Sequence, residues 1–270
     1  MEKLPFLCKV SKQRHQMEKL LKQSSEIIIK IGKELKATQV PSVRADNKEA
    51  LFGQFNIANN FSGNKIKAEL QKIAPEIKWS YAEFDVERQT SGAIKGLYWV
   101  CDAIDGAIHF LQDFYPWCIT LTLMDDQKPL MALIYDAERD ELFSTIKGQG
   151  AYFNGRPISV NGKKKLSDAI VSTVHPNNIP EENALVNKTL QSVSQIMPKV
   201  FALRLLGPAS LQLAYVAAGR IDGFWEYGND IYDWLAGALL VEEAGGYASI
   251  TDSGIIASNK ALSLELGKLL

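Results

Sequence analysis

The segment Leu97-Tyr98-Trp99-Val100-Cys101-Asp102-Ala103-Ile104-Asp105-Gly106 constrains this chain more than any other. An apolar run with strand-forming residues ends in two carboxylates three positions apart, and a glycine follows at once. Acids clustered at the exit of a buried strand need a partner, and a divalent cation with oxygen ligands suits two nearby anions. Gly106 permits a tight turn, after which a helix can open with its free N–H groups toward an anion. Taken alone, the segment fits a plain strand-to-turn exit with solvated aspartates equally well.

A second segment, Ile231-Tyr232-Asp233-Trp234-Leu235-Ala236-Gly237-Ala238-Leu239-Leu240-Val241-Glu242-Glu243-Ala244-Gly245-Gly246, reads as a helix with small and apolar residues on most faces. A helix of that kind must be buried among other elements. Asp233 falls at its N-cap or first turn, and Gly245-Gly246 stops it. A simple capping role is the ordinary explanation for Asp233.

Together the two segments resemble the inositol monophosphatase family of magnesium-dependent, lithium-sensitive phosphomonoesterases. That family carries Asp-Pro-Ile-Asp-Gly-Thr and, much later, Trp-Asp-x-Ala-Ala-Gly with a Glu-Ala-Gly-Gly ending. The counterparts here are Asp102-Ala103-Ile104-Asp105-Gly106-Ala107, Tyr232-Asp233-Trp234-Leu235-Ala236-Gly237 and Glu243-Ala244-Gly245-Gly246. The likeness continues in Gly150-Ala151-Tyr152-Phe153-Asn154-Gly155-Arg156-Pro157-Ile158, in residues 214–226 and in Ala257-Ser258-Asn259-Lys260.

The resemblance implies a site. Glu83, 19 positions before Asp102 (102 − 83), matches the family's upstream glutamate. Glu83, Asp102, Asp105 and Asp233 are then the carboxylate ligands of two or three Mg2+ ions, with the Ile104 carbonyl as a neutral ligand. The phosphate is expected on the backbone N–H groups of Gly106 and Ala107. Glu226 matches a glutamate that hydrogen-bonds a substrate hydroxyl, and Asp233 also borders substrate. Asp46, Glu83 and Asp105 are the catalytic set implied. The Gly207-Pro208-Ala209-Ser210 turn matches a helix start beside the substrate, and Lys36 a mobile-loop lysine near a weaker metal position. His109 reads as structural; His175, at a strand end, is a candidate ligand contact.

The departures matter as much. Ala107 stands where the family has threonine, whose hydroxyl pairs with an upstream aspartate to orient the attacking water; Asp46 fits that aspartate and has lost its partner. Ala103 replaces proline, which loosens the turn. Tyr81-Ala82 replaces Gly-Glu, removing one acid and narrowing the space near the metals. The expected activity is metal-dependent hydrolysis of a small phosphate monoester, slowed by Ala107. The alternatives are a weakened member that acts by binding a ligand or protein, and a phosphatase of a sugar bisphosphate or 3′-phosphoadenosine 5′-phosphate.

With 30 basic and 31 acidic residues, the chain offers no bulk attraction for nucleic acid or an anionic membrane, so a small phosphorylated metabolite is the expected partner. Family members are commonly homodimers, which implies the same here. Cys8, Cys101 and Cys118 lack metal-type spacing, and no signal-like or spanning segment is expected, which together suggest a cytoplasmic protein.

Along the chain, helices are expected over 10–35 and from about Asp46 to Ala58, a break over 59–64, and a further helical piece to Ile73. Residues 37–44 and 86–96 read as loops. Strands follow at 76–81, 117–123, 130–135 and 141–146, then at 169–174, 200–203 and 221–225, with helices at 182–196 and 210–218. This mixture points to a layered α/β (α+β) architecture. The family's αβαβα sandwich, shared with fructose bisphosphatase, fits one domain over 1–270, with two fused layers over 1–160 and 161–270.

Overall fold

The computed structural model describes residues 3–38, 46–92, 94–176 and 183–270. Two long helices come first, α1 (Lys3–Thr38) and α2 (Lys48–Ile73), followed by β1 (Lys78–Trp79), a short α3 (Val86–Thr90), β2 (Leu97–Asp105) and α4 (Ala107–Leu111). A meander of β3 (Cys118–Asp125), β4 (Lys128–Asp136), β5 (Glu141–Ile146), β6 (Ala151–Phe153) and β7 (Arg156–Ile158) completes a seven-stranded sheet in sequential order. A second sheet takes β8 (Ile170–Thr173), α5 (Asn183–Ile196), β9 (Ala202–Leu205), α6 (Ala209–Ala217) and β10 (Gly223–Tyr227) in turn. It ends with α7 (Tyr232–Glu243), β11 (Tyr247–Thr251), β12 (Gly254–Ser258) and α8 (Lys260–Leu266); its strand order is β11-β12-β10-β8-β9.

Strand alternation sets the layers. Met131, Leu133 and Tyr135 of β4 pack with Ile28, Ile31 and Leu35 of α1 and with Ile66 and Leu70 of α2. Their neighbours Ala132 and Ile134 face the opposite way, into a core with Leu213 and Ala214 of α6 and Leu239 and Leu240 of α7. Phe224, Ile255 and Ala257 of the second sheet close that core from the other side. Beyond it, Val171 and Trp225 pack outward on Ile196, Leu262 and Leu266. The result is the expected αβαβα sandwich, with α6 and α7 between the two sheets.

Two expectations need correction. Helix α2 runs unbroken through 59–64, because Asn59 and Ser62 are buried and the Ser62 hydroxyl donates back to Ala58 O (2.8 Å) and Asn59 O (3.1 Å). Packing overrides the weak helix propensity of that stretch. Its N-cap is Asn47, whose side chain accepts from Ala50 N, so the helix starts just beyond Asp46. The 86–96 loop contains α3, capped by the Asp85 side chain on Arg88 N. Most of the 37–44 loop lies outside the described residues.

The motif residues away from the carboxylates are fastenings. Glu243 accepts from Gly148 N (2.7 Å) and Gly150 N (2.9 Å), tying the end of α7 to the β5–β6 turn. Asn259 caps α8 at Ala261 N and Leu262 N, and its amide donates to Asn161 O and Lys163 O. Arg220 pairs with Glu141 and lies over the rings of Phe143, Phe153 and Tyr215. Gly237 lets α7 approach α6 closely: a Cβ there would stand 2.3 Å from Leu213 Cβ.

Candidate active site

Positions 102 and 105 would face opposite sides of a regular strand. The register of β2 against β3 shifts between Asp102 and Asp105, and Asp105 pairs with Cys118 beyond the shift. Such a bulge reverses the alternation, so both carboxylates serve the α6–α7 side. Asp102 Oδ1 accepts from Ile104 N at 2.9 Å, which holds the bulge, and Ile104 itself is buried. Asp105 Oδ2 accepts from Ser210 N at 3.2 Å, and the Ser210 hydroxyl donates to Asp233 O at 2.9 Å. The Gly207–Ser210 turn therefore borders the Asp105 carboxylate.

Glu83 reaches the group from the loop after β1. Its Oε1 accepts from Asn59 Nδ2 of α2 at 3.0 Å, and it shares a hydrogen bond with Asp102. Burial pushes Glu83 up to about 7, with the charges of Asp230 and Asp105 adding to the rise. Burial likewise lifts Asp105 to about 6. Asp102 and Asp233 are held well above the usual carboxylate range, first by burial and then by their acidic neighbours, Glu83 and Asp105 for the one, Asp230, Asp105 and Asp102 for the other. Glu226 rises to about 8, again mainly through burial, although the Trp234 indole donates to its Oε2 at 2.6 Å.

Asp102 and Asp105 thus lie within reach of both Glu83 and Asp233, which 150 residues separate in sequence (233 − 83). The donor set fits a hard divalent cation. It consists of carboxylate oxygens whose mutual repulsion a cation relieves. Among the described residues no group of three His, Cys, Asp or Glu side chains is arranged so that it could hold a metal ion as it stands. Glu83, Asp102 and Asp105 instead take protein donors, from Asn59 Nδ2, Ile104 N and Ser210 N.

Other expected residues stand elsewhere. Asp46 is exposed, one residue before the cap of α2. At 1.5 Å per residue, the twelve positions from Asn47 to Asn59 hold it about 18 Å along the helix axis from the Glu83 carboxylate. Lys36 belongs to α1 and pairs with Glu138 at 2.9 Å, so it fastens the β4–β5 turn and serves no metal position. Tyr81 does not narrow the site: it is exposed and its hydroxyl meets Lys67, while Ala82 is buried with Tyr98, Val100 and Tyr232. Gly106 has φ +91, and an added Cβ would lie 3.1 Å from Pro116 O. Ala107 then begins a helix of only five residues, which limits the dipole behind its N–H groups. His109 bonds Pro116 O and packs edge-on against Phe114, a structural role. His175 is exposed beyond β8.

Two residues escaped the sequence reading. Asp230, in the turn before α7, adds repulsion to Glu83, Asp102, Asp105, Asp233 and Glu226. Gln89 of α3 is buried; its amide donates to Asp230 Oδ1 (2.8 Å), Ala82 O and Glu83 O (3.1 Å each) and accepts from Tyr232 N (3.3 Å). The only hint in the sequence was an acid close before Asp233.

The sequence profile of the inositol monophosphatase family matches residues 10–262. The chain belongs to that family. It is 35% identical over 189 residues to inositol-1-monophosphatase of Rhizobium meliloti (strain 1021), covering 70% of this chain and 69% of that one. It is 33% identical over 196 residues to Nus factor SuhB of Escherichia coli (strain K12), covering 71% and 72%. The crystal structure of the extragenic suppressor protein suhB from Bartonella henselae superposes with a TM-score of 0.75 at 27% identity, over 93% of this chain and 97% of that one. Within this inositol monophosphatase framework, the bulged β2, the Glu83 loop and the start of α7 meet at the carboxylates.

Proposed function

We propose that this protein hydrolyses the phosphate monoester of a small metabolite in a magnesium-dependent reaction, with water as the nucleophile. The convergence of Glu83, Asp102, Asp105 and Asp233 at the bulge of β2 carries this reading, together with family membership. Bound magnesium, two or three ions, supplies charge neutralisation on the phosphoryl oxygens and an activated water. Glu83, Asp102 and Asp105 would hold it, with Asp233 and the Ile104 carbonyl. The amides of Gly106 and Ala107 orient the phosphoryl group, and Glu226 accepts a hydrogen bond from a leaving-group hydroxyl. Asp46 stands too far along α2 to orient the water in this arrangement. A cytoplasmic homodimer is part of the proposal; no helix of the described residues is long and apolar enough to cross a membrane. The test is phosphate release from a panel of phosphomonoesters, with magnesium and with excess chelator. Release that survives chelation overturns the metal mechanism.

Two observations favour a second reading, action by binding. Ala107 removes the hydroxyl that orients water in the family, and several relatives, including that of Escherichia coli, are named as Nus factors. Ala107→Thr separates the two. Under the enzymatic reading it raises turnover about tenfold or more while inorganic phosphate affinity changes little, since losing one positioning hydrogen bond costs a comparable factor or more. Flat turnover, in a protein inactive on the whole panel, favours binding.

A further inference from the structure

Gln89 belongs to none of the family motifs quoted above, yet both ends of its buried side-chain amide are engaged beside the carboxylates. Nε2 donates to Ala82 O and Glu83 O, at 3.1 Å each, and to Asp230 Oδ1 at 2.8 Å. Oε1 accepts from Tyr232 N, 143 residues further along the chain. Three acceptors surround the nitrogen and one N–H faces the oxygen, so the partners themselves fix which way the amide points. One side chain thus grips the backbone that carries Glu83 and the turn that leads directly into Asp233.

The two segments carry like charges. Asp230 and Asp105 act against Glu83, and Asp230, Asp105 and Asp102 act against Asp233. With no cation between them, these acids push their segments apart. A neutral amide holds the segments together without adding charge of either sign. The Ser80 and Tyr232 hydroxyls, 2.7 Å apart, and the packing of Ala82 on Tyr232 and Leu235 close the same junction, but neither contact reaches the Glu83 or Asp230 groups that Gln89 holds. Groups that orient metal ligands without touching the metal contribute strongly to its affinity. Ligands already in place also bind with less ordering left to do.

We propose that Gln89 is a positioning residue for magnesium binding, which holds the Glu83 loop and the start of α7 together before the cation arrives. The inference rests on the magnesium-dependent reading of this site. It adds a residue that acts through the backbone of the ligand segments and touches neither cation nor substrate.

The test is calorimetric binding of magnesium to the full chain and to Gln89→Asn, which keeps the amide but draws it back by one methylene. Gln89→Met is the second variant should the first fail to fold, and thermal unfolding in chelator checks both. The magnesium dissociation constant is expected to rise roughly 10–100-fold. Turnover at saturating magnesium should stay within about threefold of the parent, because excess cation restores the same arrangement. Ser192→Ala is the control for stability alone: it removes the partner of the buried Trp225 indole, in the core beyond the second sheet, and should lower the melting temperature with magnesium affinity unchanged. Unchanged affinity in Gln89→Asn overturns the proposal, as does an equal loss in Ser192→Ala, which would trace the effect to global stability. A loss of saturating turnover as large as the loss of affinity overturns it as well, and so does a parent that binds no magnesium. The phosphatase reading fails separately: the expected shift in affinity with no phosphate release from any monoester would leave a cation site and no enzyme.

Discussion

Asp102 and Asp105 serve the same side of β2 although three residues separate them, because the strand's register against β3 shifts between the two. A bulge at this point does more than bend the strand. It converts a sequence spacing that suits opposite faces into a pair of neighbouring carboxylates whose charges each feel the other.

Asp105→Asn separates function from stability. Losing the charge and a metal ligand is expected to lower magnesium-dependent turnover roughly hundredfold or more. The same change removes a buried acid that its neighbours repel, so in chelator at pH 8 the variant should unfold at higher denaturant than the parent. Urea titrations paired with phosphate-release assays check both halves; equal turnover would exclude Asp105 as a ligand.

Magnesium should stabilise the folded chain, because the carboxylates converge only there. A ligand at a hundred times its dissociation constant contributes about 2.7 kcal/mol, which is several degrees in melting temperature for a chain of this size. Thermal unfolding with and without excess chelator measures it, and Asp102→Asn should shrink the shift.

Glu226 makes stability fall as pH rises. Burial lifts its carboxyl from 4.5 to about 8 in the folded chain, so the unfolded chain ionises first. The metal-free protein should therefore be most stable, as far as this group goes, below about pH 4.5, and lose that contribution progressively between about 4.5 and 8, by at most a few kcal/mol. Glu226→Gln should flatten this stretch of the profile. A parallel loss in both proteins would show that the decline comes from other groups.

Gly237→Ala should cost about 1–3 kcal/mol, since α6 and α7 must separate to admit a Cβ that would otherwise stand 2.3 Å from Leu213 Cβ. The denaturation midpoint reads the cost, and Leu213→Ala in the same chain should recover part of it.

Much of this protein was legible as local pattern. The β5 strand matches its expected bounds, and α7 begins at Tyr232, beside Asp233, because apolar runs, periodicity and end signals act over a few residues. The order of motifs likewise singled out the four carboxylates that we propose as ligands. What escaped depends on groups distant in sequence. The continuity of α2 follows from burial of Asn59 and Ser62, which propensity does not report. Asp46 is carried away from Glu83 by the length of that same helix.

The sequence by itself determined most of the strands and helices and which acids to propose as cation ligands, since both are written in residue type and short-range spacing. Only the tertiary structure decided that Asp102 and Asp105 share a face, that Ser210 ties Asp105 to α7, and that Gln89 fastens Asp230 across 141 residues. Those are contacts between chain segments brought together by the packing of α6 and α7 between two sheets. No local pattern encodes such a pairing, because its energy arises only once both partners have lost water together.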